Sequence, residues 1–175
     1  MTTSSKTLGE WFDNFEREAF RLETLDDYGK SGDSVAYQAF LAGKPQPESF
    51  QDAGWTRTIR DAVQAGKRMY RVHILSRPLT DYLRFELGWG YLRNMRAGEE
   101  FFILDTTDQE NPIPDAPDFW LFDERVVGAM RYDGGGAFLG AEFPAEDQLP
   151  RFLTYRDEAL AQAAPFAEWW AQYGA

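Results

Sequence analysis

Two short apolar runs, Asp118-Phe-Trp-Leu-Phe-Asp123 and Val126-Val-Gly-Ala-Met130, follow one another with only the charged hinge Asp123-Glu124-Arg125 around the junction. Runs of this kind, joined so tightly, predict adjacent antiparallel strands whose side chains supply much of a core. The pattern continues through Asp133-Gly-Gly-Gly136, which offers the positive φ angles of a hairpin turn, into Ala137-Phe-Leu-Gly-Ala-Glu-Phe143. A three-stranded meander over 118–143 is expected. The triple glycine is not read as a phosphate cradle, because no helix follows it and no Lys-Ser/Thr pair is attached.

Upstream, Met69-Tyr-Arg-Val-His-Ile-Leu-Ser76 is rich in residues that suit a pleated surface and is bounded by Gly66 and Pro78. Pro78 fits a first helical turn, and Leu79, Tyr82, Leu83, Glu86, Leu87, Tyr91, Leu92 and Met95 continue at helical spacing to Ala97-Gly98. Gly88 and Gly90 weaken the middle of that helix. Glu99-Glu-Phe-Phe-Ile-Leu-Asp105 then reads as a strand that pairs parallel with the first through a right-handed crossover. Residues 106–117, with three prolines and no periodicity, form a surface loop.

In the N-terminal third, Leu8, Phe12, Phe15, Ala19 and Leu22 recur at spacings of three and four and predict an amphipathic helix over 8–22. Gly32-Asp33-Ser34 caps a second helix over 35–41, and Trp55, Ile59, Ala62 and Val63 mark a third, closed by Gly66. At the other end, 149–164 is helical, Pro165 interrupts, and Phe166 to Tyr173 is a last aromatic turn. The expected fold is α/β (α+β), a mixed five-stranded sheet with flanking helices. One domain spans 1–175: a helical part (1–66), a βαβ unit with the meander (67–143), and C-terminal helices (144–175).

Charge and composition narrow the function. A net charge of −11 repels a phosphate backbone, so no direct nucleic-acid partner is expected. The densest basic patch, Lys67-Arg68 with Arg71, reads as solvated strand-edge residues. The sequence has no cysteine, which removes disulfides and thiolate chemistry and fits a reducing cytoplasm. The start, Met-Thr-Thr-Ser-Ser-Lys, lacks the features of a signal peptide, and no apolar run approaches the ~20 residues of a membrane span. A cytoplasmic protein without membrane contact is expected.

Candidate chemistry is sparse. The one histidine, His73, lies mid-strand between Val72 and Ile74, where a satisfied core residue and a catalytic base are both conceivable; alone it cannot form a histidine metal cage. Asp105, Asp108, Asp115, Asp118, Asp123 and Glu124 fall near strand ends and read as caps and turns, so no metal or other cofactor is assigned. In Ser76-Arg-Pro-Leu-Thr-Asp-Tyr-Leu-Arg-Phe-Glu86, helical geometry turns Tyr82 and Glu86 to one face and Arg84 to about 200° away. Tyr82 with Glu86 could line a pocket at the carboxyl end of the first strand. Trp120 is either core or an aromatic anchor for a partner. Tyr82, Arg84, Glu86, Trp120 and Asp123 are therefore the candidate ligand- or partner-binding residues, and no catalytic residue is assigned.

Phe20-Arg-Leu-Glu-Thr24, Ser76 to Glu86, Asp118 to Asp123 and Phe138-Leu-Gly-Ala-Glu142 together resemble an actinobacterial family catalogued as a domain of unknown function. Members of that family often neighbour genes for helix-turn-helix regulators and their small partner proteins, which implies a regulatory role. A more distant resemblance is to the phospholipase D-like fold, in the order helix, strand, helix, strand, then a strand ending in aspartate and an antiparallel return. Active members of that fold carry His-x-Lys-x4-Asp. With the aspartate at Asp123, Ala116 and Asp118 stand at the histidine and lysine positions, so phosphodiester chemistry is not implied. The expectation is a non-catalytic regulatory or interaction module with a protein partner such as a helix-turn-helix regulator, or an effector. The alternative is a small enzyme using Tyr82, Glu86 and Asp123 in one cleft.

Overall fold

The computed structural model describes residues 6–30 and 33–174. Along the chain run α1 (Leu8–Asn14), β1 (Glu18–Glu23), α2 (Ser34–Leu41), α3 (Glu48–Gln51), α4 (Gly54–Gln64), β2 (Arg68–Leu75), α5 (Asp81–Phe85), α6 (Leu92–Ala97), β3 (Glu100–Asp105), β4 (Phe119–Phe122), β5 (Val126–Tyr132), β6 (Phe138–Glu142), α7 (Leu149–Gln162), β7 (Ala164–Pro165) and α8 (Phe166–Tyr173). A π-helical turn, Glu86–Tyr91, joins α5 to α6. The strands form one sheet in the order β6-β5-β4-β1-β2-β3-β7.

The crossover and the meander take the places expected of them. β2 and β3 are parallel, and β4, β5 and β6 pair antiparallel in succession. The weakened middle of the crossover helix is where the π-helical turn lies, with Gly88 and Gly90 inside it. Asp33 caps α2 by accepting a hydrogen bond from the Ala36 backbone N–H. Gly32 of that cap and Met1 to Ser5 of the N-terminal reading lie outside the described residues.

Three expectations are corrected. The sheet has seven strands among the described residues, not five: β7 adds a two-residue edge to β3, and β1 sits in the interior. The predicted helix over 8–22 stops at Asn14, and 18–23 is a strand parallel to β2 and antiparallel to β4. Asp123 fixes this change of direction. Its carboxylate accepts from the backbone N–H groups of Glu16, Arg17 and Glu18 at 2.8, 2.7 and 3.0 Å, satisfying donors that a continuing helix would have used internally. The order taken from the phospholipase D-like resemblance is accordingly not reproduced, since β1 intervenes before the N-terminal helices end and separates β2 from β4.

Strand alternation divides the core. Phe20, Leu22, Tyr70, Val72, Ile74, Leu104, Phe119 and Leu121 point to one face, where Phe152, Tyr155 and Ala159 of α7 cover them. On the other face Ala19, Met69, Trp120 and Phe122 meet Phe15 and α4 at one end of the strands. Leu75, Phe101 and Ile103 on that face meet Leu83, Leu87, Tyr91, Phe166 and Trp169. Between these two apolar clusters the same face carries Arg21, Glu23, Arg71 and His73.

Candidate functional site

The parallel register of β1 and β2 puts Arg21 beside Arg71 and Glu23 beside His73. All four are buried, and burying two guanidinium groups side by side demands carboxylates around them. Arg21 Nη2 donates to Asp118 Oδ2 at 3.0 Å and to the Tyr132 hydroxyl at 2.9 Å. Asp118 also accepts from Tyr28 Oη and from the Thr24 backbone N–H. Arg71 Nη1 donates to Glu23 Oε1 at 3.0 Å, and its Nε donates to Glu99 Oε1 at 2.7 Å. The indole of Trp120 lies within 6 Å of both guanidinium carbons, at 5.8 and 5.7 Å.

The π-helical turn brings two more groups to this cluster. Tyr91 Oη is 2.6 Å from Glu23 Oε1 and 2.8 Å from His73 Nδ1. Glu86 Oε2 lies 3.7 Å from His73 Nδ1, and Glu23 Oε1 lies 3.9 Å from it. His73 Nε2 is 2.8 Å from the Leu25 carbonyl oxygen, which can only accept, so Nε2 carries a hydrogen. An extra residue in the helical ladder often marks a functional position, and here it turns Glu86 and Tyr91 together onto the polar strip.

Burial and charge pull these carboxyl groups apart. Burial alone would raise Glu23, but Arg71, His73, Arg21 and the Tyr91 hydrogen bond together outweigh it and hold the group well below the usual carboxylate range. Burial, followed by the negative charge of Glu23, pushes Glu86 well above that range. Burial likewise raises Glu99 against the pull of Arg71. Burial raises the Tyr91 and Tyr82 phenols, helped by Glu23 at Tyr91 and Glu86 at Tyr82. Among the described residues, three buried side-chain atoms have no hydrogen-bond partner: Arg21 Nη1, Glu86 Oε2 and Glu99 Oε2.

A pocket of about 190 Å³ opens onto the cluster. Phe50, Trp55, Tyr82 and Phe85 form its apolar wall, and Arg71, Glu86 and Tyr91 reach it from below. A cavity of ~150 Å³ holds a benzene-sized molecule, so a compact ligand fits. A larger hollow of about 420 Å³, beside Arg77 and α8, is more open, and its partly buried carboxylate, Asp105, is already satisfied. There Asp105 accepts from Arg77 Nε, Trp169 Nε1 and the Thr107 backbone N–H.

Residues 6–171 match the family described as a domain of unknown function (DUF6879). The chain belongs to that family. A search of curated proteins finds no match.

Of the five candidate residues in this DUF6879 chain, Tyr82 and Glu86 share the pocket. Arg84 is exposed and borders a separate hollow with Phe40, Leu79 and Trp170. Trp120 is buried, packed edge-on against Trp55 and Phe12, and so is core and not an exposed anchor. Asp123 caps the start of β1, five residues from Glu23 and on the order of 17 Å away along the strand. Tyr82, Glu86 and Asp123 therefore do not meet in one cleft.

Sequence reasoning missed Glu23, Arg71, Tyr91 and Glu99. Arg71, expected to be a solvated edge residue, is buried at the cluster's centre. The missed signal was two charged residues, Arg21 and Glu23, at alternate positions beside Phe20 and Leu22. That pattern fits a strand with one apolar face and one buried polar face.

Proposed function

We propose that this chain is an effector-binding regulatory module whose ligand enters the pocket between α3, α4 and the π-helical turn. The observation that carries the reading is Glu86. Its Oε2 is cut off from solvent and unpaired at the floor of an aromatic-walled pocket sized for a compact ligand. Buried polar atoms are seldom left without a partner, and a ligand donor would supply one. The pocket wall is built from separate short helices that can shift relative to the sheet when it is filled. Such a shift is the kind of change a protein partner could read, and a helix-turn-helix regulator of the sort implied by the family resemblance is the partner proposed. The absence of cysteine supports placing this circuit in a reducing cytoplasm. The enzyme alternative, in the form that needed Tyr82, Glu86 and Asp123 in one cleft, is set aside on their separation. No phosphodiester chemistry is proposed, because Ala116 and Asp118 stand where the histidine and lysine of active phospholipase D-like proteins are expected.

A thermal-shift screen of compact polar metabolites, followed by calorimetry on hits, tests the reading. A true effector raises the melting temperature of the wild type and binds at least about tenfold more weakly to Phe85→Leu, which alters the wall while keeping an apolar side chain. A hit that binds both proteins equally lies elsewhere, and a screen without hits counts against the module. Capture from the native host should return a regulator whose recovery changes with the effector.

A further inference from the structure

With Glu86 ionised, the polar cluster beneath the pocket has too many acceptors for its hydrogens. One ligand atom from each of His73, Glu23 and Glu86 lies within 4.8 Å of the others, with Nδ1 3.9 Å from Glu23 Oε1 and 3.7 Å from Glu86 Oε2. The Tyr91 hydroxyl has one hydrogen and stands between two of them. Arg71 directs Nη1 to Glu23 and Nε and Nη2 to Glu99, and makes no hydrogen bond to Glu86 Oε2. If Tyr91 donates to Glu23, the lone pair of Nδ1 has no donor. If it donates to Nδ1, Glu23 keeps only Arg71. In neither arrangement does ionised Glu86 acquire a partner. The wider cluster repeats the imbalance: Asp118 pairs with Arg21, Glu23 and Glu99 share Arg71, and Glu86 stands beside His73.

We propose that Glu23, His73 and Glu86 form a binding site for a divalent first-row transition-metal ion of the Zn²⁺ type. One imidazole nitrogen and two carboxylate oxygens make a donor set suited to such ions, and the nitrogen argues against Ca²⁺ or Mg²⁺. Bonds of 2.0–2.2 Å at tetrahedral angles place donors about 3.4 Å apart, so the two separations from His73 Nδ1, 3.7 and 3.9 Å, need only a few tenths of an ångström of closure, and the two carboxylates lie within 4.8 Å of one another. The surroundings are those that orient metal ligands. The hydrogen on Nε2 is held by the Leu25 carbonyl, which leaves the Nδ1 lone pair facing the site, and Arg71 with Tyr91 steadies Glu23. On metal entry Nδ1 exchanges its contact with Tyr91 for the ion, and Tyr91 keeps its hydrogen on Glu23. Glu86 is the one of the three that lines the pocket, so water or a ligand atom entering there would complete the fourth position. Two positive charges also offset the carboxyl excess.

The test uses the full chain stripped with a chelator, then titrated with Zn²⁺ in a calorimeter and with Co²⁺ followed by visible absorption. One ion per chain is expected, with the intense absorption of four-coordinate Co²⁺ and a higher melting temperature. Glu86→Gln, near-isosteric and on the pocket side, should weaken Zn²⁺ at least about tenfold while its circular dichroism stays that of the wild type. Two results overturn the proposal: stripped protein that takes up no metal, in which case protons alone balance the cluster, or Glu86→Gln that binds Zn²⁺ as well as the wild type. If Glu86→Gln fails to fold, Glu86→Asp, which shortens the reach but keeps the charge, must show the same loss for the proposal to stand. Running the effector screen on stripped and Zn²⁺-loaded protein separates the two ideas, since an effector that binds stripped protein survives the loss of the metal site.

Discussion

Replacing Asp123 with alanine should be among the most damaging single changes outside the apolar core. Its carboxylate holds three backbone N–H groups at the start of β1, and its own backbone sits at φ 53°. A hydrogen bond to a charged group contributes roughly 1.5–3 kcal/mol. Water can reach part of this bend, so the three together are worth on the order of 3–5 kcal/mol, less than their sum. Alanine at positive φ adds roughly 1–2 kcal/mol. Asp123→Asn keeps one oxygen for Arg17 and Glu18 and tolerates the left-handed conformation. It turns an NH₂ toward the Glu16 N–H, for a smaller loss of about 1–2 kcal/mol.

Acidity should reveal the same contact. Burial would raise this carboxyl, but the Glu16, Glu18 and Arg17 N–H groups hold it below the ordinary value. A depressed folded-state pKa stabilises fully above the unfolded value of about 3.9, and the gain fades as pH falls through the lower folded value. The assay is urea unfolding followed by tryptophan fluorescence at pH 7 and at about pH 2.5. At neutral pH the expected order of stability is wild type, Asn, then Ala, and the gap between wild type and Asn should narrow in acid. An alanine variant within about 1 kcal/mol of wild type, or an asparagine variant less stable than it, would refute the account.

Arg71→Met should destabilise by about 3–5 kcal/mol, because it leaves Glu23 and Glu99 buried without their cation; chemical denaturation measures it. Gly98→Ala should lower stability by roughly 1–3 kcal/mol and the melting temperature by several degrees. Gly98 ends α6 at φ 113°, and a Cβ there would come within 2.9 Å of the Val63 methyl groups.

The crossover, the meander and its hairpin turn were legible because each rests on local rules: alternation along a strand, helical spacing, and glycine where φ must be positive. The weak point of the long helix was legible too, although not that Glu86–Tyr91 would widen into a π-helical turn. β1 was not legible. Leu8, Phe12, Phe15, Ala19 and Leu22 fit a helical stripe, and that stripe masked the shorter alternation of Phe20 and Leu22 with Arg21 and Glu23, whose charges read as solvent-facing although they are buried. Of the site, Tyr82 and Glu86 could be placed on one face from spacing alone. Their partners Glu23, Arg71, Tyr91 and Glu99 come from four separate segments.

The sequence by itself therefore determined the elements whose stability is settled within a dozen residues, and it placed Tyr82 with Glu86. Only the tertiary structure decided that Arg21 stands beside Arg71 and Glu23 beside His73, because strand register is set by pairings between residues some 50 positions apart. The same holds for the aspartates that bound the Phe119–Phe122 strand. Asp118 became the counter-charge of Arg21 and Asp123 the cap of β1, roles fixed by groups about 100 residues away in sequence.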